Sequence, residues 1–262
     1  MNIISFPNFG LEFEVSKIAF SILDIDIYWY SICIVLGIIV AILLCVLSKE
    51  NFGINFEDII DISIAALVFG IIGARLYYVI FNLDYYLAYP LKIFSIRDGG
   101  LSIIGGLILG GLGVLFRARK LELKPFNLLD YIAPFVAIAQ SIGRWGNFFN
   151  AEAYGTECKT LFKMGIKNFE GYIEVHPTFL YESISTFVIF CILRMLQKNR
   201  KFEGQIFLLY LILYSGCRFF IESLRVDSLM FCEFKITKLL SGVVFFSSIY
   251  MYFRNKKILH KN

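Results

Sequence analysis

Apolar residues run along this chain in seven long stretches, about 28–48, 59–81, 101–116, 126–148, 177–193, 205–222 and 236–253, parted by short polar connections. Most of them reach or approach the roughly 20 residues that a helix needs to cross the hydrocarbon core of a bilayer. Leu, Ile, Phe and Gly fill them without period-two alternation, so the pattern predicts helices rather than the strands of a barrel. The expected architecture is an all-α integral membrane protein with seven transmembrane helices, forming a single membrane domain over residues 1–262. The longest connection, about 149–176, mixes Gly, Thr, Lys and aromatics and is expected to form a small extracytoplasmic head region.

Composition agrees with that pattern. The chain is 58% hydrophobic and only 18% charged, against about a quarter charged in a soluble domain. Residues 1–27 carry four acids against the single Lys17, the reverse of a basic leader, so no cleavable signal is expected and the first helix should remain as an anchor. The connections 49–58, 117–125 and 194–204 and the tail 254–262 together hold 13 Lys and Arg, against 8 in 1–27, 82–100, 149–176 and 223–235. The positive-inside rule then puts the N-terminus outside and the C-terminus in the cytoplasm. The clusters "RARKLELK", "RMLQKNRK" and "RNKK" read as orientation signals and lipid-headgroup contacts. In the third stretch, Gly99 to Gly113 include the spacing Gly106-x-x-x-Gly110, a bare face that lets a neighbouring helix or a lipid come close. The six cysteines include no C-x-x-C pair, and no metal site is expected. Cys33, Cys45, Cys191 and Cys217 sit in apolar segments as small hydrophobes, whereas Cys158 and Cys232 fall in polar connections on one face, where a disulfide is an open alternative.

Four cations fall within the stretches or at their ends: Arg75, Arg144, Arg218 and Lys238. An ionisable group at bilayer depth costs roughly 2.5–3.5 kcal/mol on insertion scales, so each requires a partner or a wet cavity. Lys238 is close enough to an end to snorkel. Tyr214, Arg218, Glu222 and Arg225 lie at i, i+4, i+8 and i+11 and stack along one helix face. Either Arg218 and Glu222 form a self-satisfied ion pair, or, since one acid cannot neutralise two arginines, an outside anion is the third party. Arg144 and Asn147, at i and i+3 in "SIGRWGNFFNAEAYG", begin a polar run through Asn150 and Glu152 to Gly155, with glycines that admit close approach of backbone N–H groups. Arginine's planar fork suits phosphate, so two arginines at one depth would clamp a lipid phosphodiester. His176 before Pro177 reads first as an ordinary helix start, with a role as acid or base the lesser alternative. Trp29, Tyr30, Tyr77 and Tyr78 are expected as interface aromatics.

Taken together, the segments "YWY", "GARLYYVIF", "DGGLSIIGGLI", "GRWGNFFNAEAYG", "HPTFLYE" and "GQIFLLYLILYSGCRFFIESLRVDSLM" resemble, in order from about residue 28 to residue 230, the prolipoprotein diacylglyceryl transferase family. The resemblance implies transfer of the diacylglyceryl group of phosphatidylglycerol to the lipobox cysteine of a preprolipoprotein signal peptide, with glycerol 1-phosphate leaving. It implies a multi-pass protein of the bacterial cytoplasmic (inner) membrane whose partners are phosphatidylglycerol, those signal peptides and membrane lipids, with no cofactor and no nucleic acid. Carried over residue by residue, Arg144 and Arg218 would clamp the phosphate, and Asn147, Glu152, Gly155 and His176 would contribute to binding the substrate. Tyr30, Tyr214 and Glu222 would hold the arginines in place. The chain departs from the family pattern at Ile104, where many members carry a histidine discussed as the base for the thiol. Either another group, with His176, Glu222 or a tyrosine as candidates, serves as base, or the arginines lower the incoming thiol's pKa. A lipid or anion transporter and a structural assembly factor are the competing classes. The paired repeats usual in transporters are not apparent.

Overall fold

The computed structural model describes residues 2–48, 52–96, 99–168, 171–227, 230–231 and 234–259. In chain order the strands β1 (Asn2–Phe6), β2 (Leu11–Val15), β3 (Ile18–Ile22) and β4 (Ile25–Tyr28) precede the helices α1 (Trp29–Leu47), α2 (Phe56–Ile80), α3 (Leu83–Ala88), α4 (Ile103–Lys120), α5 (Pro125–Gly143) and α6 (Trp145–Asn150). Next come β5 (Met164–Asn168), β6 (Gly171–Val175), α7 (Thr178–Gln197), α8 (Gln205–Leu224), β7 (Met230–Phe231), β8 (Phe234–Lys235) and α9 (Ile236–Leu259). Six of these segments are long and apolar enough to cross a membrane: α1, α2, α5 with α6, α7, α8 and α9. The chain is an integral membrane protein. The stretch expected at 101–116 is the helix α4, but Arg117, Arg119 and Lys120 fill its last turn and shorten its apolar length.

The chain divides into two compact units, one of Cys45–Leu128 and the other of Met1–Leu44 with Leu129–Asn262. In the first, α2 starts on a capping box, in which the Asn55 N–H donates to the Asp58 carboxylate at 3.2 Å. α2 then packs on α4 along a glycine seam. A Cβ built on Gly73 would stand 2.4 Å from the Gly105 carbonyl oxygen, and one on Gly105 2.3 Å from that of Gly73. The glycine face of α4 therefore receives a helix, not a lipid, and its closest point is Gly105 rather than Gly106 or Gly110. Arg117 pairs with Asp61 across the same two helices. Arg75, buried on α2, spends its guanidinium on backbone carbonyls: Nε donates to Ile93 at 2.8 Å, Nη1 to Gly99 and Gly100 at 2.7 and 2.9 Å, and Nη2 to Lys92 and Ser95 at 2.5 and 3.2 Å. This cation is a staple for the chain between α3 and α4, and Tyr86 covers it with its ring face.

The larger unit holds a helical core between α5, α7 and α8, made by Ala133, Ala137, Ile189, Leu193, Ile206 and Tyr210. The buried Asp130 fixes one end of that core. Its carboxylate accepts from the Gly204 and Phe207 N–H groups at 2.8 and 2.9 Å and from Arg200 at 3.0 Å, satisfying orphan donors at the start of α8. Lys238 lies over the Phe219 ring.

An antiparallel sheet in the order β2-β1-β5-β6 lies in the same unit, with Ile4 opposite both Phe13 and Ile166, and Ile166 opposite Ile173. Ile4, Val15, Met164, Ile166 and Val175 bury one face of it against Phe148 of α6 and Phe179 of α7. The all-α expectation missed these strands. β1 and β2 belong to the first 27 residues, where no element was expected, although "LEFEV" alternates with period two, and β1 finds its second partner only at residues 165–167. The candidate pairing of Cys158 with Cys232 falls on Cys232, which lies outside the described residues.

Candidate active site

Three helix ends meet at one ionic cluster. α5 ends at Gly143, Arg144 follows as the link into α6, α7 starts at Thr178 so that Glu182 lies near its beginning, and α8 ends just beyond Arg218 and Glu222. Glu182 is the hub, and it is only 3% exposed. Its Oε2 stands 2.6 Å from Arg144 Nη2, while its Oε1 accepts from Arg218 Nη1 and lies 3.6 Å from Arg225 Nη1. Arg218 Nη2 pairs with Glu222 Oε2 at 2.5 Å, and Glu222 is 1% exposed. Both Oε2 atoms are near a cation yet off the axis of a hydrogen bond, so each has charge compensation without an aligned donor. Arg225 forks onto Asp227, with Nε donating to Oδ1 at 3.0 Å and Nη2 to Oδ2 at 2.9 Å. Burial alone would raise the Asp227 carboxyl, but that fork holds it below the usual carboxylate range.

The charge count read from α8 alone changes here. Glu182 and Asp227 join Glu222, so Arg144, Arg218 and Arg225 face three carboxylates. What stays in surplus is donors, since each guanidinium offers five N–H groups. Arg144 has the most to offer: its side chain is 26% exposed, about twice the exposure of Arg218 or Arg225, and among the described residues it makes a single ion pair. Tyr214 adjoins Arg144 and stacks on Tyr210 with rings 5.7 Å apart and 9° from parallel. The Tyr210 hydroxyl donates to Gln140 at 3.0 Å, which anchors the stack to α5.

The other sequence candidates fall around this hub in different ways. Asn147 and Asn150 both donate to Glu152 Oε1 at 3.0 Å, forming a polar triplet around the turn that leaves α6. Ala151 and Ala153 hold left-handed φ values of 51° and 56° in that turn, where a non-glycine residue is uncommon. Tyr30 packs on Gly146, where a Cβ would stand 2.7 Å from its ring. Gly155 admits protein: a Cβ there would meet His176 Cβ at 2.8 Å and the Leu224 carbonyl oxygen at 3.0 Å, because the strand segment at 155–156 threads between them. His176 pairs its backbone with that segment, and its Nδ1 faces the Tyr181 hydroxyl at 3.2 Å rather than the arginines. Ile104 stands exposed on α4 in the smaller unit. Among the described residues no three His, Cys, Asp or Glu side chains are arranged to hold a metal ion.

Sequence reasoning missed Glu182. It started from the cations within the apolar stretches and reached only the acids beside them in sequence, such as Glu222, although an acid inside 177–193 carries the same signal. Lys235 was missed as well. Its ammonium donates to the carbonyls of Glu222 at 3.0 Å, Ser223 at 3.4 Å and Arg225 at 2.5 Å, capping the C-terminal end of α8 where its charge is favoured. Lys235→Met is expected to weaken that last turn by about 1–2 kcal/mol, read as roughly 5- to 30-fold faster hydrogen exchange at residues 222–225. Lys235→Arg should recover most of the protection.

The profile of prolipoprotein diacylglyceryl transferase matches residues 17–254. The phosphatidylglycerol–prolipoprotein diacylglyceryl transferase of Finegoldia magna is 42% identical over 249 residues, covering 95% of this chain and 99% of that protein. Proteins of the same name from Clostridioides difficile and Enterococcus faecalis are 41% and 42% identical over 92% and 90% of this chain, and over 98% and 89% of their own lengths.

Proposed function

The chain belongs to the prolipoprotein diacylglyceryl transferase family, and we propose that the Glu182-centred arginine cluster is where it carries out that family's reaction. The enzyme transfers the diacylglyceryl group of phosphatidylglycerol to the lipobox cysteine of a preprolipoprotein, the first step of lipoprotein maturation. In that step the cysteine sulfur attacks the glyceryl carbon that bears the phosphate. The carbon–oxygen bond breaks, a thioether forms, and glycerol 1-phosphate departs, while the thiol's proton passes to water or to the departing phosphate monoester. A phosphodiester with one negative charge becomes a monoester with up to two, so donors already aimed at the phosphate stabilise the transition state more than the ground state.

One observation carries this reading: three guanidinium groups converge on a single buried carboxylate and keep donors to spare. Arg144 and Arg218 are the clamp on the phosphate, Glu182 and Glu222 orient their forks, and Tyr214 braces Arg144. Asn147 and Glu152 bind the glycerol end of the headgroup, and Tyr30 and Gly155 hold α6 and the end of α8 in place. The substrate supplies the nucleophile, so the enzyme needs no Ser–His–Asp set. Glu182 and Glu222 are each engaged by arginine, and the described contacts of His176 point to Tyr181. The electropositive donors around Arg144 are therefore our choice for favouring the thiolate, in place of a dedicated base.

The topology supporting this site has seven spans in one membrane domain, with α4 as the third. The sheet of β1, β2, β5 and β6 is the main part of an extracytoplasmic head. The cluster lies at the ends of α5 and α8 and the start of α7, opposite the ends rich in Arg194, Lys198 and Arg200. Positive-inside orientation in the bacterial inner membrane then puts the cluster at the outer leaflet, with the N-terminus outside and the C-terminus cytoplasmic. The test is mass spectrometry of a synthetic lipobox peptide incubated with the purified protein and phosphatidylglycerol. A gain of one diacylglyceryl group on cysteine is expected, with isoleucine at position 104. No gain under conditions where the lipid binds would overturn the reading in favour of lipid binding alone.

A further inference from the structure

The hairpin of β3 and β4 stands directly before α1, the most apolar of the spans. Its register sets Ile22 opposite Ile25 and Phe20 opposite Ile27, while Ser21 faces Asp26 on the other side and donates to it at 2.6 Å. One face is thus apolar and the other polar, as period-two alternation requires. The apolar face is uncovered: Phe20, Ile22 and Ile25 are exposed, and Leu23 at the tip is 90% exposed.

The tip itself is unusual. Leu23 and Asp24 both hold left-handed φ, at 48° and 61°, in a two-residue turn where Asn and Gly are the usual occupants. A leucine at such a position is strained, and in water it would also be fully solvated, so nothing in an aqueous setting compensates for it. The base of the hairpin meets the membrane-spanning part of the chain. The Trp29 N–H donates to the Lys17 carbonyl at 3.0 Å, Trp29 stacks on Phe149 with rings 4.9 Å apart, and Tyr30 lies against Gly146. Tyr28 and Trp29 are the amphipathic aromatics expected at headgroup level.

We propose that the β3–β4 hairpin is a membrane-interface element that lies beside α1, with Phe20, Ile22, Leu23 and Ile25 in contact with phospholipid acyl chains and Ser21 and Asp26 turned away from them. The occupant is lipid because the hairpin runs without a break into α1, the most apolar span, whose Val35, Leu36, Ile39 and Leu43 are likewise uncovered. The fixed base at Trp29 and Tyr30 keeps the hairpin at the level where that span leaves the hydrocarbon. The same contacts tie it to α6, the helix that follows Arg144.

The test is site-directed photocrosslinking in the full-length protein. p-Benzoylphenylalanine is placed singly at positions 20, 23, 21 and 26, and each variant is reconstituted in vesicles of phosphatidylglycerol and phosphatidylethanolamine. Irradiation is followed by intact-mass measurement. Phospholipid adducts are expected at 20 and 23, with at least fivefold lower yield at 21 and 26. Equal yields on both faces, no lipid adduct at 20 and 23, or crosslinks from these positions to protein would overturn the proposal. The readout is an adduct mass and not diacylglyceryl transfer, so its failure is separate from any failure of the catalytic reading. All four positions are exposed, and unchanged elution of each variant on size exclusion shows that the fold is retained.

Discussion

Glu182→Gln is expected to lower the turnover of lipobox-peptide lipidation by roughly 10²- to 10³-fold, the range seen when a preorganised electrostatic element is lost. The side chain keeps its size, so the effect is one of charge. Arg144, Arg218 and Arg225 would lose the anion that they share, and Arg218 would retain only Glu222. Removing one member of a buried ionic group also destabilises by about 3–5 kcal/mol. Kinetics separate the catalytic from the structural contribution. On the proposed phosphate clamp Glu182 competes with the lipid phosphate for the same guanidinium groups, so its loss should leave the KM for phosphatidylglycerol unchanged or lower while kcat falls. A folded Glu182→Gln protein with near-native kcat would show that Glu182 merely neutralises the arginines. A raised KM with unchanged kcat would make it a binding contact instead.

Glu182 also shows what was legible in the sequence and what was not. Arg218 and Glu222 declare themselves because helical spacing places them on one face, and the structure pairs them. Arg144 declares itself as a cation at the end of an apolar run. The convergence of Arg144 with Arg218 depends on how α5, α7 and α8 pack, and the residue joining them comes from α7, which shares no periodicity with either. Local pattern gives the face of a helix, whereas which faces meet is a property of the tertiary fold. The same limit hid the sheet. Ile4 pairs with Ile166, a contact that no window of neighbouring residues contains. Gly105, Gly146 and Gly155 are sites of close approach, whereas Gly111 and Gly143 meet nothing within 4 Å, and what approaches was not legible. At Gly105 it is Gly73, and at Gly155 it is the chain beside His176 and Leu224.

Arg144 gives the second large effect, and it differs in kind from that of Glu182. Arg144 stands at the rim of the cluster and makes one ion pair among the described residues, so Arg144→Ala leaves Glu182 still compensated by Arg218 and Arg225. The fold should therefore survive, with a melting temperature closer to native than that of Glu182→Gln. Transfer should nevertheless fall by roughly 10²- to 10³-fold, because on the proposed clamp the most exposed of the three guanidinium groups, and with it the first donor set for the leaving phosphate, is gone. Arg144→Lys restores the charge without the fork. If the clamp works by two parallel hydrogen bonds, lysine should recover less than about a tenth of the native rate, since a single ammonium cannot reproduce the bidentate geometry. Full recovery by lysine would mean that Arg144 acts through its field alone. Undiminished transfer by the alanine variant would remove the phosphate clamp from Arg144 and leave it to Arg218 and Arg225, the other two guanidinium groups at the hub among the described residues.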